Sequence, residues 1–569
     1  MGAAGCSTGG NNSGDSADGS SEKTSSEKTE SSEETVGSKE ESVEEPKEEL
    51  TGDTSEIYWF STVSGFGPAN WNVDSSPALD HIRDEFGLTF NLEQPPTDAE
   101  TKLGLMIATG DLPDLMSCAK ADVTQQLIDS GKVWPIEEFM QEYDPDSWLL
   151  TEYPEDAKKA LTDKNGGWYT IPSHLETADN RKIYPPDDQI WIDVVEKGTN
   201  GCIMFNKDMM DELGITEDMV RTEKGFYEAC ELVKNSGHQV DGQSVVPVMF
   251  HCNLWIDASL DGPVANNFGV VPIDDSGNYL HKELTPGYKE ALKFMNNCIQ
   301  KGYADVNTLT IDETAMGSYL QADRVFCWIG NQAQDDKAGK SWVSFGPIAA
   351  DSGARPATGI NQSAGTGWIQ TMVSKDCAEP EKLAKMLSWS TSREGLLVHY
   401  YGTEGVNYEI DDKGIVTRTD EGQKINDEDY KSNVLLWPFA NTSFERNTEP
   451  VPDPSTNRGV EVQLMPALGK DERTYIYNSA LIDFPETLIE PSSDLGIAYS
   501  QVKNYLESQK AKIVTAADDA AFEAEYQSMV DTLKNYKIDE IDAEYDKAYK
   551  EFCGNIGMTL EDVNADIYK

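Results

Sequence analysis

The chain has 569 residues, with 46 Lys+Arg against 101 Asp+Glu and a formal net charge of −55. That acid excess excludes a protein that holds nucleic acid through phosphate contacts and disfavours one that holds anionic lipid through basic patches. A hydrophobic share of 38% with 12 Trp supplies a folded core, yet no stretch stays apolar for the 18 or more residues of a membrane-spanning helix. The first 50 residues stand apart: thirteen acids and four Lys lie among Ser, Thr, Gly and Asn, and the first aromatic residue is Tyr58. Such a stretch cannot bury enough apolar surface to offset its ordering entropy, so residues 1–53 are expected to form a disordered, self-repelling tether.

Strands and helices then alternate. Ile57–Val63 reads as a buried strand, broken by Gly65, Gly67 and Pro68. Leu79, Ile82 and Phe86 share one helical face before Gly87, and Leu88–Leu92 alternates as a strand. A helix is expected from Asp98 to Thr109, then a Pro-Asp turn at Asp114 entering another strand. Cys202–Phe205 is a strand and Lys207–Leu213 a helix stopped by Gly214. Thr222 is placed to cap a helix carrying Phe226, Cys230 and Val233. Val245–Phe250, Val325–Ile329 and Val343–Ile348 read as strands. Tyr288, Leu292, Met295 and Ile299 make a helical stripe, as do Leu383, Met386 and Leu387 after Pro380, and Phe522, Tyr526, Met529, Leu533 and Tyr536 near the C-terminus. Units of this kind imply an α/β fold whose parallel strands are joined by helical crossovers. Hairpins are expected at Asp163–Gly167, Asp274–Gly277 and Asp411–Gly414. None completes an EF-hand pattern, so turn chemistry explains them better than calcium. The Cys residues are scattered without CxxC, the His without HExxH, and neither a metal nor a cofactor is expected.

Several segments, in order, resemble the family 1, sugar-type extracellular solute-binding proteins of ABC transporters, in their long Gram-positive lipoprotein form. They are Thr109-Gly-Asp-Leu-Pro-Asp-Leu115, Ile128–Ile136, Gly167-Trp-Tyr-Thr-Ile-Pro172, Met204–Gly214, Gly365-Thr-Gly-Trp-Ile369, Ser374–Ser388 and Tyr401–Tyr408. The resemblance implies a two-lobed periplasmic-binding-protein-like fold with discontinuous lobes joined by a hinge and a ligand cleft between them. The first lobe is then 54–170 plus about 326–395, the second about 171–325 plus 396–569, with Val325–Asn331 as the return to the first lobe. Gly2-Ala3-Ala4-Gly5-Cys6 resembles the end of a bacterial lipoprotein signal, which makes Cys6 the expected lipidation site. The chain would then be a trimmed form held on the outer face of the cell membrane by acyl chains.

A sugar presents flat C–H patches ringed by hydroxyls, so its site needs aromatic faces and planar polar groups. Trp71, Trp191, Trp255, Trp328, Trp368 and Trp437 lie beside Gly, Asn, Pro or strand ends, where a cleft would draw on them. Trp71 follows the loop after the first strand; Asn253 and Trp255 follow Phe250. Lys120 follows the Pro-Asp turn and its strand. Cys118 and Ala121 stand where maltose-type relatives have an aromatic and an acid, which argues against maltose-like specificity. His174 and Glu176 follow Pro172, and Asn331 and Gln332 occupy the stretch where relatives place a ligand aromatic. Tyr401 and Glu404, with Asn407, fall at the expected lobe junction as ligand contacts or hinge. The expected partners are a carbohydrate and the permease subunits of an ABC transporter, for a monomeric binder without catalysis. The alternatives are a secreted glycoside hydrolase, or the same fold holding a peptide or polyamine.

Overall fold

Nine strands make two mixed sheets in the computed structural model, which describes residues 54–63, 76–95, 97–251, 259–311, 313–334, 341–361, 364–429, 436–485 and 488–567. In chain order they are β1 (Ser55–Ser61), β2 (Leu88–Glu93), β3 (Leu115–Cys118), β4 (Ile171–Pro172), β5 (Gly201–Asn206), β6 (Val246–Phe250), β7 (Val325–Asn331), β8 (Trp342–Val343) and β9 (Gln370–Val373). The first sheet has the order β2-β1-β3-β9-β4, with β1 parallel to β2 and β3, and β9 antiparallel to β3 and β4. The second has the order β8-β5-β7-β6, with β7 parallel to β6 and antiparallel to β5.

Both sheets are buried on both faces, which is why their strands read as apolar runs. In β1, Ile57 and Trp59 enter one core while Tyr58 and Phe60 face another. In β5, Ile203 and Phe205 pack one way and Cys202 and Met204 the other. The helices begin and end where the sequence says. Ser76 Oγ accepts from Leu79 N at 3.2 Å to cap Pro77–Phe86, and Gly87 closes that helix at φ 62. Thr222 Oγ1 caps Glu223–Ser236 through Gly225 N, and Gly214 closes Lys207–Leu213. Among the described residues no helix is long and apolar enough to cross a membrane.

Four expectations are corrected. Val325–Asn331 pairs with β5 and β6 and so completes the second sheet; the return to the first is made by β9. Of Val343–Ile348 only Trp342–Val343 is strand, because pairing with β5 stops there. Asp163–Gly167 is no hairpin but the end of helix Glu155–Asn165, closed by Gly166 at φ 72. Helix Arg393–Tyr401, which the expected boundary near 395 divides between the lobes, packs as a whole against Pro77–Phe86 and Pro380–Thr391, the helices of the first sheet. The 411–414 hairpin does form, with Asp411 Oδ1 accepting from Lys413 N and Ile415 N at 2.8 and 2.9 Å. Likewise Asp274 Oδ1 accepts from Ser276 N and Asn278 N at 2.9 and 2.8 Å, so that carboxylate braces its own turn.

The C-terminal helices Asp494–Val514, Asp519–Asn535 and Ile538–Ile556 add Ile513, Phe522, Met529, Leu533 and Ile541 to the core of the second sheet. Buried Lys510 fixes them there, lying 3.2 Å from Asp261 and 3.0 Å from Glu283. Its charge holds the Glu283 carboxyl down at about 2 against the opposing effect of burial.

Candidate ligand-binding site

The pairing registers bring several chain segments to one edge of the first sheet. β1 and β3 end there, and because β9 runs against β3, with Gln370 beside Cys118, the entry to β9 lies at that same edge. Gln370 also pairs with Pro172, so the residues after β4 join it. Lys120, Gly367, Trp368 and His174 therefore converge at carboxyl ends of parallel strands, where open α/β sheets hold ligands.

The closest joint is at Gly367. A Cβ on Gly367 would stand 2.0 Å from the Ser173 carbonyl oxygen, so only glycine lets these two segments meet. Ser173 N donates to Ile369 O at 2.9 Å and Ile369 N to Ser173 Oγ at 3.2 Å. His174 then turns through φ 48, a conformation that non-glycine residues seldom adopt and that concentrates at functional sites. Its ring lies 6.3 Å from that of Trp368 and 5.2 Å from that of Trp437, tilted by 33° and 36°. Trp368 is 40% exposed, a large apolar face left open to solvent. Burial pulls the His174 ring below its usual range, with Glu445 opposing, so it is held towards the neutral form.

Residues that sequence reasoning missed hold this cluster in place. Leu175 N donates to Ala440 O at 3.2 Å, and buried Asn180 donates from Nδ2 to Asn441 Oδ1 at 2.8 Å. Asn441 in turn caps helix Thr442–Thr448 through Phe444 N, which fixes the segment carrying Trp437. Glu176 is ion-paired with Arg446, so its carboxylate is engaged in bracing. The signal for these braces was the N-cap pattern Asn441-Thr-Ser, but the partners are about 260 residues apart in sequence. Lys120 Nζ meets Glu100 Oε1 at 3.0 Å.

The matching edge of the second sheet lies at the carboxyl ends of the parallel pair β6 and β7. His251 is buried, and its Nδ1 accepts from Asn331 N at 3.4 Å. Burial pushes its ring down to about 4, so it is neutral at ordinary pH. Trp328 is fully buried in the core with Met204, Met249 and Leu464, and donates from Nε1 to Asn331 O at 3.2 Å. That corrects its expected role: it is a packing residue with no face to offer a sugar. Trp191, expected at a cleft, is likewise fully buried inside helix Gln189–Lys197. Asn331 ends β7 with Oδ1 accepting from Ala333 N, and Gln332 N donates to Asn200 O at 2.8 Å. Gln332 is 3% exposed, and its Oε1 finds no hydrogen-bond partner among the described residues. A buried acceptor without a donor is rare in a folded protein and suits a ligand hydroxyl.

Two further expectations fall elsewhere. Tyr401 is buried with Tyr184, Tyr408 and Phe444, its hydroxyl 2.8 Å from Thr448 Oγ1; it is a core residue, which corrects its assignment as a ligand contact. Glu404 lines a groove of about 630 Å³ with His81, Glu394, Leu397 and Val406, and none of the three clustered rings lines that groove. Cys6, Trp71, Asn253 and Trp255 lie outside the described residues.

A sequence model described as bacterial extracellular solute-binding protein matches residues 82–396. The fructooligosaccharide ABC transporter substrate-binding protein FusA of Streptococcus pneumoniae is 24% identical over 238 residues, 40% of this chain and 41% of FusA, so the match spans about two fifths of that relative's length. Among solved structures, S. pneumoniae FusA in complex with kestose gives a TM-score of 0.63 at 16% identity, over 88% of this chain and 100% of that one. An HMO-binding, ABC-transporter-associated solute-binding protein from Bifidobacterium longum infantis gives 0.61 at 14% identity, over 88% and 99%. These likenesses show the fold: an α/β periplasmic-binding-protein fold with two mixed sheets, as expected from the sequence.

Proposed function

The chain belongs to the bacterial extracellular solute-binding protein family, and we propose that it captures an oligosaccharide between its two sheet-bearing lobes and hands it to the permease of an ABC transporter. A family of solute-binding proteins leaves no place for the glycoside-hydrolase alternative. The observation that carries the carbohydrate reading is the cluster His174–Trp368–Trp437, with Trp368 40% exposed. Rings from three chain segments, whose backbones are held together by hydrogen bonds at a strand-end edge and of which Trp368 leaves its face open to solvent, are a stacking platform for sugar C–H faces. The glycans named for FusA and the HMO-binding relative agree with that chemistry.

On this reading the edge with Asn331 and Gln332 supplies hydrogen bonds from the second lobe. Ligand that touches both edges only when the lobes are closed shifts the hinge equilibrium by its differential affinity, and the permease reads the closed form. Cys6 carries the lipid, residues 1–53 give reach from the membrane, and the acidic body stays monomeric. The test is a thermal-shift and Trp-fluorescence titration against oligosaccharides, peptides and polyamines. A ligand that binds only the folded state raises the melting temperature by mass action. The expected result is a shift with one glycan class, lost in Trp368→Ala and Trp437→Ala, with the glycan intact afterwards. A shift with a peptide or polyamine alone, or turnover of the glycan, overturns the reading.

A further inference from the structure

We infer that Arg458 is a positioning residue for ligand capture: it ties the two lobes together where the chain crosses between them, and so sets the hinge equilibrium on which affinity depends. The inference rests on the two-lobed oligosaccharide reading above and names a residue that controls it. Helix Thr442–Thr448 belongs with the first sheet: Phe444 packs with Leu396 and Tyr400, Thr448 meets Tyr401, and Arg446 pairs with Glu176. Helix Asn457–Leu464 belongs with the second. Its Val460 and Leu464 enter the core of Met204 and Trp328, and Val462 packs on Trp191. Residues 449–456 join the two helices and include Pro450, Pro452 and Pro454, whose fixed φ makes the link stiff and extended.

Arg458 reaches back across that link. Its Nη2 lies 2.9 Å from Glu445 Oε1 and 3.1 Å from Glu449 Oε2, and Nε donates to the same Glu449 oxygen at 3.2 Å. On its own side Nη1 meets Glu461 at 3.3 Å, and the guanidinium carbon lies 5.2 Å from the centre of the buried Trp191 ring. The planar fork is therefore seated on the second lobe and engages the first through two carboxylates, a geometry that a lysine cannot copy. A rotation between the lobes moves one helix past the other and changes those contacts. An interaction held in one state more than the other shifts the equilibrium between them, and with it the apparent affinity.

The tie also has a proton handle. Burial pushes the Glu449 carboxyl up to about 7, with Glu445 adding to the rise and Arg458 and Arg418 opposing it. The other titratable group that feels it is Tyr401, whose hydroxyl burial holds above its ordinary range, and Glu461 shares the same guanidinium. Glu449 is thus a charged partner of Arg458 at pH 8 and largely a neutral one at pH 6.

The experiment uses the full chain and the oligosaccharide that gives the largest thermal shift. Dyes are clicked onto azide-bearing amino acids in place of the exposed Lys159 and Lys224, one on a helix of each lobe, and energy transfer reads the distance between the lobes. In Arg458→Gln the ligand-free distance should move, and Kd by calorimetry should change at least about fivefold in step with it. A shift towards the distance of the ligand-bound parent strengthens binding, and a shift away weakens it. Because that variant strips three carboxylates of their partner, Glu449→Gln serves as the gentler one, an amide in place of the protonated acid. Its Kd should differ from the parent's at least about fivefold at pH 8, and the two should converge by pH 6. An unmoved distance in Arg458→Gln, a Kd that changes out of step with it, or a Glu449→Gln gap that ignores pH overturns the inference and leaves the oligosaccharide reading intact. If no oligosaccharide binds, the broader reading fails, while the ligand-free distance still decides whether Arg458 ties the lobes.

Discussion

The two sheet edges carry the same pair of residue types and use them in opposite ways. His251 and Trp328 have ring centres 5.5 Å apart; His174 and Trp368 have theirs 6.3 Å apart. The first Trp is fully buried and the second is 40% exposed. The reason is position relative to the pleat. Trp328 lies within β7, where alternation commits its side chain to one core or the other. Trp368 lies before β9 begins, in the entry loop that Gly367 presses against Ser173, so no sheet face claims it. A tryptophan beside glycine and histidine is thus a surface platform outside a strand and a core residue inside one.

The largest way to break this comparison is Trp328→Ala. Removing a fully buried indole should cost about 3–5 kcal/mol of stability, read as a lower midpoint in urea unfolding. A loss under about 1 kcal/mol would show that Trp328 is not a packing residue. Next is Arg446→Ala, which leaves Glu176 without its partner beneath the platform. Because the pair is largely buried, about 3 kcal/mol should be lost, and Glu176→Gln in the same chain should restore part of it. Equal stability of the single and double variants would show that the pair does not brace the loop.

Trp368→Ala should do the reverse of Trp328→Ala. Its stability should change by no more than about 0.5 kcal/mol, while affinity for the bound oligosaccharide falls about ten- to a hundredfold, or about 1.4–2.8 kcal/mol. Calorimetry and urea unfolding on the same samples separate the two readouts. A Trp368→Ala protein that binds normally removes the platform from the site.

Much of the fold was legible because it rests on local rules. Ser76 and Thr222 cap helices, Gly87 and Gly214 end them, and the Phe522–Leu533 stripe is the buried face of its helix. What was not legible depends on contacts distant in sequence. No local pattern states that β7 pairs with β5 across about 120 residues, or that Asn180 meets Asn441. The site suffered for the same reason. His174, Trp368 and Trp437 were each singled out alone, but strand registers bring the first two together and hydrogen bonds of Leu175 and Asn180 to the Ala440–Asn441 segment bring the third, while Trp328 lies inside a strand and faces the core. Glu176 was selected as a polar group near Pro172, when its carboxylate is engaged by an arginine 270 positions away.

The smallest expected effect concerns the second edge and acid. Burial holds the His251 ring at about 4, whereas an exposed imidazole titrates near 6.5. The unfolded chain therefore binds a proton at this residue that the folded chain refuses. The stability owed to neutral His251 is complete above about pH 6.5 and is lost as pH falls towards 4, at up to about 1.4 kcal/mol per pH unit. Between pH 7 and pH 5.5 that is about 1 kcal/mol. Other groups also titrate as the pH falls, so the comparison to make is with His251→Asn, whose amide oxygen can still accept from Asn331 N without titrating. The variant should lose about 1 kcal/mol less than the parent over that interval in urea unfolding. If the two curves run parallel, His251 is open to solvent, and the contrast drawn between a closed second edge and an open first one is lost at its histidine.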